Sequence, residues 1–162
     1  DIDNTLIRDQ ENENLNDLLA LLMKNRDTIG FCVATGRTVA SAVEYLKQHN
    51  VHALDIIISS VGSEIYYGKD LHYGQGWETH ISSKWNRAKI VELLKEVDFL
   101  EYQEEITQRR FKISYLTKPG KDRLAMIHDL LLKHKCRYNL IYSHQRYLDI
   151  LPYRASKGKA IR

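Results

Sequence analysis

Apolar residues recur at Leu15, Leu18, Leu19 and Leu22, the spacing of a helix with one buried face, which predicts an amphipathic helix over 15–23. The next apolar segment has another rhythm. Ile29-Gly-Phe-Cys-Val-Ala34 is short and continuous, as expected of a strand buried on both faces in a parallel sheet. Thr38 opens a second helix to about His49, with Val39, Val43 and Leu46 inward, and Asp55-Ile-Ile-Ile-Ser59 reads as a second buried strand. Strands alternating with helices at this interval imply βαβ units and a parallel sheet, with ligands gathered at the carboxyl ends of the strands.

Beyond about residue 70 the order changes. A helix over 84–97 is followed by strands near 100–103 and 110–116, and a helix over 122–134 by strands near 137–143 and 146–151. Helix-strand-strand, twice over, predicts an antiparallel sheet with helices on one side. The expected fold class is therefore α/β, a Rossmann-like parallel-sheet core with an inserted α+β cap of two helix-strand-strand units. The expected domains are 1–70 for the first part of the core, 71–151 for the cap and 152–162 for the return to the core. Gly68 to Gly76 and Pro152 to Ala155 are the natural hinges.

Composition adds constraints on partners. The 162 residues are 43% apolar and 28% charged, enough for a real core and not the profile of a disordered chain. The net charge of +3 is small and spread along the chain. Runs such as Gln108-Arg109-Arg110 are too short to argue for nucleic acid, so no nucleic-acid partner is expected. The two cysteines, Cys32 and Cys136, read as buried free thiols. No apolar run approaches the roughly 20 residues of a membrane span, and no signal peptide opens the chain. The expectation is a soluble cytoplasmic protein with no membrane partner. The chain begins at Asp1 without Met and stops at Arg162 inside what reads as a helical turn, so an excerpt of a longer chain is expected.

Three short segments carry candidate chemistry. In Asp1-Ile2-Asp3-Asn4-Thr5 an extended backbone turns residues i and i+2 the same way, so both carboxylates face one site. Such a pair suits a hard cation, Mg²⁺, and allows one carboxylate to attack a phosphoryl group while the other trades protons with the leaving oxygen. An acidic loop accounts for the same five residues. Val33-Ala34-Thr35-Gly36-Arg37-Thr38 ends a strand just before a helix, where a hydroxyl, exposed backbone amides and a helix N-terminus favour an anion; Thr38 also suits an ordinary N-cap. In Arg154-Ala155-Ser156-Lys157-Gly158-Lys159 a lysine at a loop-to-helix boundary can reach phosphate as a compact point charge, although most such lysines are merely exposed. The seven histidines show no spacing suited to zinc.

In order and spacing, a DxDxT, a TGR about thirty residues later and a Lys-Gly loop after an inserted module resemble the motif sequence of the haloacid-dehalogenase superfamily, in its branch with a large α/β cap. Val61-Gly-Ser-Glu-Ile-Tyr66, Phe111-Lys-Ile-Ser-Tyr115 and Leu148-Asp-Ile-Leu-Pro152 are similar to the sucrose-6-phosphate phosphatase family. Gln108-Arg-Arg-Phe-Lys-Ile-Ser-Tyr115 and Asn139-Leu-Ile-Tyr-Ser-His144 resemble most the phosphatase-like C-terminal domain of bacterial sucrose-phosphate synthase.

That resemblance implies a Mg²⁺-dependent phosphatase working through an aspartyl-phosphate. Asp1 would be the nucleophile, Asp3 the general acid and then base, and both would hold Mg²⁺, Asp3 through its backbone carbonyl. Thr35, Gly36 and Lys157 would bind phosphate, and Arg37, Ser63, Glu64, Lys112 and Asp149 the sugar. Lys112 and Asp149 lie in cap strands whose alternation would equally turn them to solvent, Glu64 would equally stabilise a turn, and Lys159 has an exposed helix start as its plainer reading. The apolar strand that should precede Asp1 and the family's fourth motif, with further aspartates for Mg²⁺, are missing from the sequence. Three functional readings stay open: a sucrose 6-phosphate phosphatase, the C-terminal domain of a synthase with a covalently fused glycosyltransferase, catalytic or regulatory, and a non-catalytic sugar-phosphate-binding module.

Overall fold

The computed structural model describes residues 1–8, 13–52, 54–118 and 120–162. The chain divides into two units, Asp1–Trp77 with Lys157–Arg162, and Glu78–Ser156.

The first unit holds α1 (Glu13–Lys24), β1 (Cys32–Ala34), α2 (Val39–Gln48), β2 (Ile56–Ser59), β3 (Glu64–Tyr67) and β4 (His72–Tyr73). β1 lies parallel to β2, with Cys32 opposite Ile56 and Ala34 opposite Ile58. β3 then runs antiparallel to β2, and β4 antiparallel to β3. Among the described residues the expected parallel core is thus a mixed sheet with one parallel pair. The reversal has a local cause. Ser60, Val61 and Gly62 all take positive φ, which turns the chain back at once and leaves no room for a crossover helix. Gly68, at φ +69°, makes the next turn. The segment 68–76, expected to be a hinge, carries this turn, β4 and the start of a helix.

α2 starts where Thr38 predicts it should, the Thr38 hydroxyl accepting from Ser41 N at 3.4 Å. Ala42 and Leu46 of α2 are buried with Ile2, Ile7, Leu15, Val33, Val51 and Ile57 in one apolar cluster. Ile2 is fully buried between two exposed aspartates, and this anchors the opening segment to the core. Cys32 is exposed and both thiols are free, so the expected burial of Cys32 does not hold. The strand starts only at Cys32, and its side chain falls on the open face.

The chain enters the second unit within α3 (Gln75–Ser82), followed by α4 (Arg87–Leu94), β5 (Leu100–Tyr102), β6 (Ile113–Thr117), α5 (Lys121–Lys133), β7 (Tyr138–Ser143) and β8 (Tyr147–Pro152). The sheet order is β5-β6-β8-β7, antiparallel throughout. The two helix-strand-strand units are present. α4 is shorter than the helix expected over 84–97, because Asn86 caps it, its side-chain carbonyl accepting from Lys89 N at 3.0 Å. α3 escapes the sequence pattern since Ile81 is its one fully inward residue.

Ile90 and Leu94 of α4 and Ile127 and Leu131 of α5 pack on Ile113, Tyr115, Leu148 and Ile150 of the sheet. Each such side chain contributes roughly 1.5–3 kcal/mol on burial. The helices therefore cover one sheet face. By the alternation of strand side chains, Ser114 and Asp149, paired across β6 and β8, belong to the other face with Lys112. The last helix, α6 (Lys157–Ile161), returns to the first unit. Among the described residues no helix is long and apolar enough to cross a membrane.

Candidate active site

The opening segment turns after Asp3, where Asn4 takes φ 56° and donates to the Ile7 carbonyl at 3.0 Å. Asparagine tolerates this left-handed conformation better than most residues. Asp1 and Asp3 are both exposed, on either side of buried Ile2, as the i, i+2 alternation requires. Each carboxylate meets one cation. Lys157 Nζ donates to Asp1 Oδ2 at 2.5 Å across 156 residues of sequence. Arg37 donates from Nη2 to Asp3 Oδ1 at 2.6 Å and from Nε to Oδ2 at 3.0 Å, a bidentate grip.

Arg37 is held from two further sides. Nη1 donates to Ser41 Oγ at 3.2 Å, and the guanidinium lies 4.0 Å from the Tyr45 ring centroid, a cation–π distance. Its proton affinity rises above the ordinary arginine value, chiefly through the hydrogen bond to Asp3. Burial lowers the Lys157 pKa, and nearby Asp3 offsets this in part. The Asp1–Lys157 pair is one-third to two-fifths exposed, so its value for stability alone is small.

Thr35 and Gly36 lie where β1 ends. Thr35 N donates to Ile58 O at 2.8 Å, Val61 N to Thr35 O at 3.0 Å and Ser60 N to Arg37 O at 2.8 Å. The loops after β1 and β2 are thus stitched together. These bonds hold Val61 at φ 62°, ψ 21°, unusual for a β-branched residue. Thr35 is wholly buried, and its hydroxyl accepts from Arg37 N at 3.2 Å, leaving its own proton for another acceptor. Gly36 is exposed.

Ser63 and Glu64 are buried and engaged within the chain. Ser63 Oγ donates to Ser60 O at 2.9 Å. Glu64 accepts from Ser59 Oγ at 3.1 Å and Ser60 Oγ at 3.0 Å. This serine–glutamate network braces the strained turn at Ser60–Gly62. Sequence reasoning missed Ser59 and Ser60, and nothing in their spacing marks them.

Lys112 and Asp149 belong to the second unit, where alternation does not turn them to solvent. Their side chains are 6% and 13% exposed, with Lys112 Nζ 3.8 Å from Asp149 Oδ1. The same oxygen accepts from Ser114 Oγ at 2.6 Å. Ser114 went unnoticed, although its place two residues from Lys112 in a strand puts both on one face. Gln108 was missed too: its buried side-chain amide accepts from Ser114 N at 2.9 Å and donates to Gln103 O at 3.0 Å. Lys159 is exposed on α6.

Asp1 and Asp3 thus each face a cation, Lys157 and Arg37, with exposed Gly36 at the end of β1. The fold is that of the haloacid-dehalogenase-like hydrolases: such a protein from Bacteroides thetaiotaomicron superposes with a TM-score of 0.68 at 16% identity, over 98% of this chain and 71% of that one. Within that class the chain belongs to the sucrose-6F-phosphate phosphohydrolase family, whose model matches residues 1–162. Sucrose-phosphatase 1 of Nicotiana tabacum is 33% identical over 99% of this chain. Sucrose-phosphate synthase 4 of Arabidopsis thaliana is 29% identical over 92% of this chain and 16% of its own length. A sucrose-phosphatase from Synechocystis, solved in complex with sucrose and phosphate, superposes with a TM-score of 0.89 at 29% identity, over 98% of this chain and 64% of that one. The chain spans about 39% of the length of the two Nicotiana tabacum sucrose-phosphatases it matches.

Proposed function

We propose that this chain carries the nucleophile and acid–base half of a phosphatase that hydrolyses sucrose 6-phosphate. The observation that carries the reading is the convergence of Asp1, Asp3, Arg37 and Lys157 at 2.5–3.0 Å, in a family named for that reaction. The Synechocystis relative, with sucrose and phosphate bound, supports a sugar phosphate as the ligand class.

Asp1 attacks phosphorus and forms an aspartyl-phosphate. Lys157, which contacts Asp1 in this structure, shifts to a phosphoryl oxygen as charge moves from the nucleophile to the transferring group. Gly36 offers a backbone amide and Thr35 its hydroxyl proton to the same oxygens. Asp3 leaves its Arg37 contact, takes up a proton from solvent, gives that proton to the sugar oxygen as the leaving group departs, and then regains one from the water that opens the intermediate. Arg37 is thereby freed for the substrate. Ser63 and Glu64 act on the substrate through the turn they brace, while Lys112 and Asp149 offer a donor and an acceptor for sugar hydroxyls.

The carboxylates of Asp1 and Asp3 fit a hard cation, since Mg²⁺ is commonly bound by one or two carboxylates with water and phosphate oxygens. From this segment the Asp1 carboxylate and the Asp3 backbone carbonyl would be its donors, and among the described residues no group of three or more His, Cys, Asp or Glu is placed to hold a metal. Bound there, Mg²⁺ would offset the repulsion between nucleophile and phosphate. The likeness to a sucrose-phosphate synthase favours a second setting, the same domain fused to a glycosyltransferase.

The test is phosphate release by the full-length protein with Mg²⁺ from sucrose 6-phosphate, beside glucose 6-phosphate and fructose 6-phosphate. Preference for the disaccharide ester supports the reading. Folded protein that releases phosphate from none of them overturns it in favour of a regulatory or binding role.

A further inference from the structure

The second unit contains a cavity of about 210 Å³ where the start of α4 meets the turn between α5 and β7. Four of its lining residues are cationic, Lys84, Lys89, Lys135 and Arg137, joined by Asn86 and Cys136, and none is acidic. That is a local departure from the chain's balance, since it has 21 acidic residues for 24 basic ones. Lys89 Nζ donates to the His134 carbonyl at 2.6 Å and so ties one wall to the other. Lys84 and Lys135 both have left-handed backbones, φ 59° and 55°. They stand just beyond the ends of α3 and α5, positions where glycine is the usual choice. Both lysines line the same cavity, so two ammonium groups belong to one small lining.

We propose that this cavity is a second anion site that takes a small phosphate-bearing ligand, separate from the site at Asp1 and Lys157. Phosphate chemistry fits the lining. Ammonium and guanidinium groups in one lining would neutralise a dianion, and Arg137, whose guanidinium lies 5.8 Å from the Tyr153 ring centroid, carries a planar fork of donors suited to two oxygens. The Asn86 carboxamide has an N–H₂ left to donate while its oxygen caps α4. The volume admits a phosphate or a small phosphate ester and is too small for a disaccharide phosphate to be enclosed.

The experiment follows backbone amide resonances of the full-length protein during titration with inorganic phosphate, with glucose 6-phosphate in a second arm. Sodium chloride at matched ionic strength is the control. Saturable shifts at Asn86–Lys89 and Lys135–Arg137 are expected, at least about tenfold weaker in affinity for K135Q/R137Q, whereas shifts at Gly36 and Lys157 persist in that variant. Tighter binding of the ester makes a phosphate monoester the ligand, and tighter inorganic phosphate makes it free phosphate; both support the site. Shifts that never saturate, or that chloride reproduces, overturn it. So does saturation by a glutamate-rich peptide alone, which would make the surface a docking patch for acidic protein. If K135Q/R137Q does not fold, the wild-type titration against chloride decides alone.

Discussion

Replacing Gly36 by alanine adds a Cβ that would lie 3.9 Å from Val61 Cγ2, an ordinary contact with no other atom within 4 Å, and the backbone there is not left-handed. Nothing among the described residues demands glycine at this position. Loss of unfolded-state freedom should then raise stability by about 0.4–1 kcal/mol. Activity should move the other way. If a phosphoryl oxygen sits on the Gly36 amide, the new methyl group intrudes on that approach and weakens a hydrogen bond made at full strength only in the transition state. Losing one such donor costs roughly 10²–10³ in rate. The assay pairs denaturant unfolding with kcat/KM for sucrose 6-phosphate on the same full-length preparation. A more stable protein with a hundredfold lower kcat/KM is the expected result. Destabilisation beyond about 1 kcal/mol, or kcat/KM within about threefold of wild type, refutes the placement of phosphate at Gly36.

Three further outcomes follow from the second unit. Lys112→Met leaves Asp149 buried without its cation and should cost about 3 kcal/mol, the low end for such a change because Ser114 still serves Asp149. Adding Asp149→Leu should restore most of that loss, and chemical denaturation of both variants checks it. Tyr142→Phe removes a hydroxyl that is buried without a hydrogen-bond partner, so thermal unfolding should show no loss and a gain of up to about 1 kcal/mol. Burial first, and Tyr102 second, push Tyr115 up to about 12 from 10.0. A raised phenol pKa means that the folded state keeps the proton longer. Its stabilisation is complete below pH 10.0 and is lost as pH climbs toward about 12; Tyr115→Phe should flatten that alkaline decline in a denaturation series.

Much of the fold was legible because its signals are local. Thr38 announced a cap, Leu46 a buried helical face and Ile56–Ile58 a buried strand, and all three appear in place. The antiparallel return of β3 was not legible, since it depends on Ser60 and Val61 adopting left-handed backbones that no propensity favours and that hydrogen bonds to Thr35 and Arg37 impose. The site shows the same division. Motif spacing picked out Asp1, Asp3 and Lys157, but that Arg37 grips Asp3 and rests on Tyr45 is a matter of tertiary geometry. The resemblance assigns Ser63 and Glu64 to the sugar, and the structure adds their hydrogen bonds within the chain. Their neighbours Ser59 and Ser60, which complete that network, carry no sequence signal of their own.

The central claim is that Asp1 accepts the phosphoryl group, and acid quenching of the full-length protein during turnover of radiolabelled sucrose 6-phosphate tests it most directly. Label bound to the protein, released by hydroxylamine as expected of an acyl phosphate and absent together with turnover in Asp1→Asn, is the predicted result. Continued phosphate release by Asp1→Asn, with no label ever held by the wild-type protein, would contradict the account.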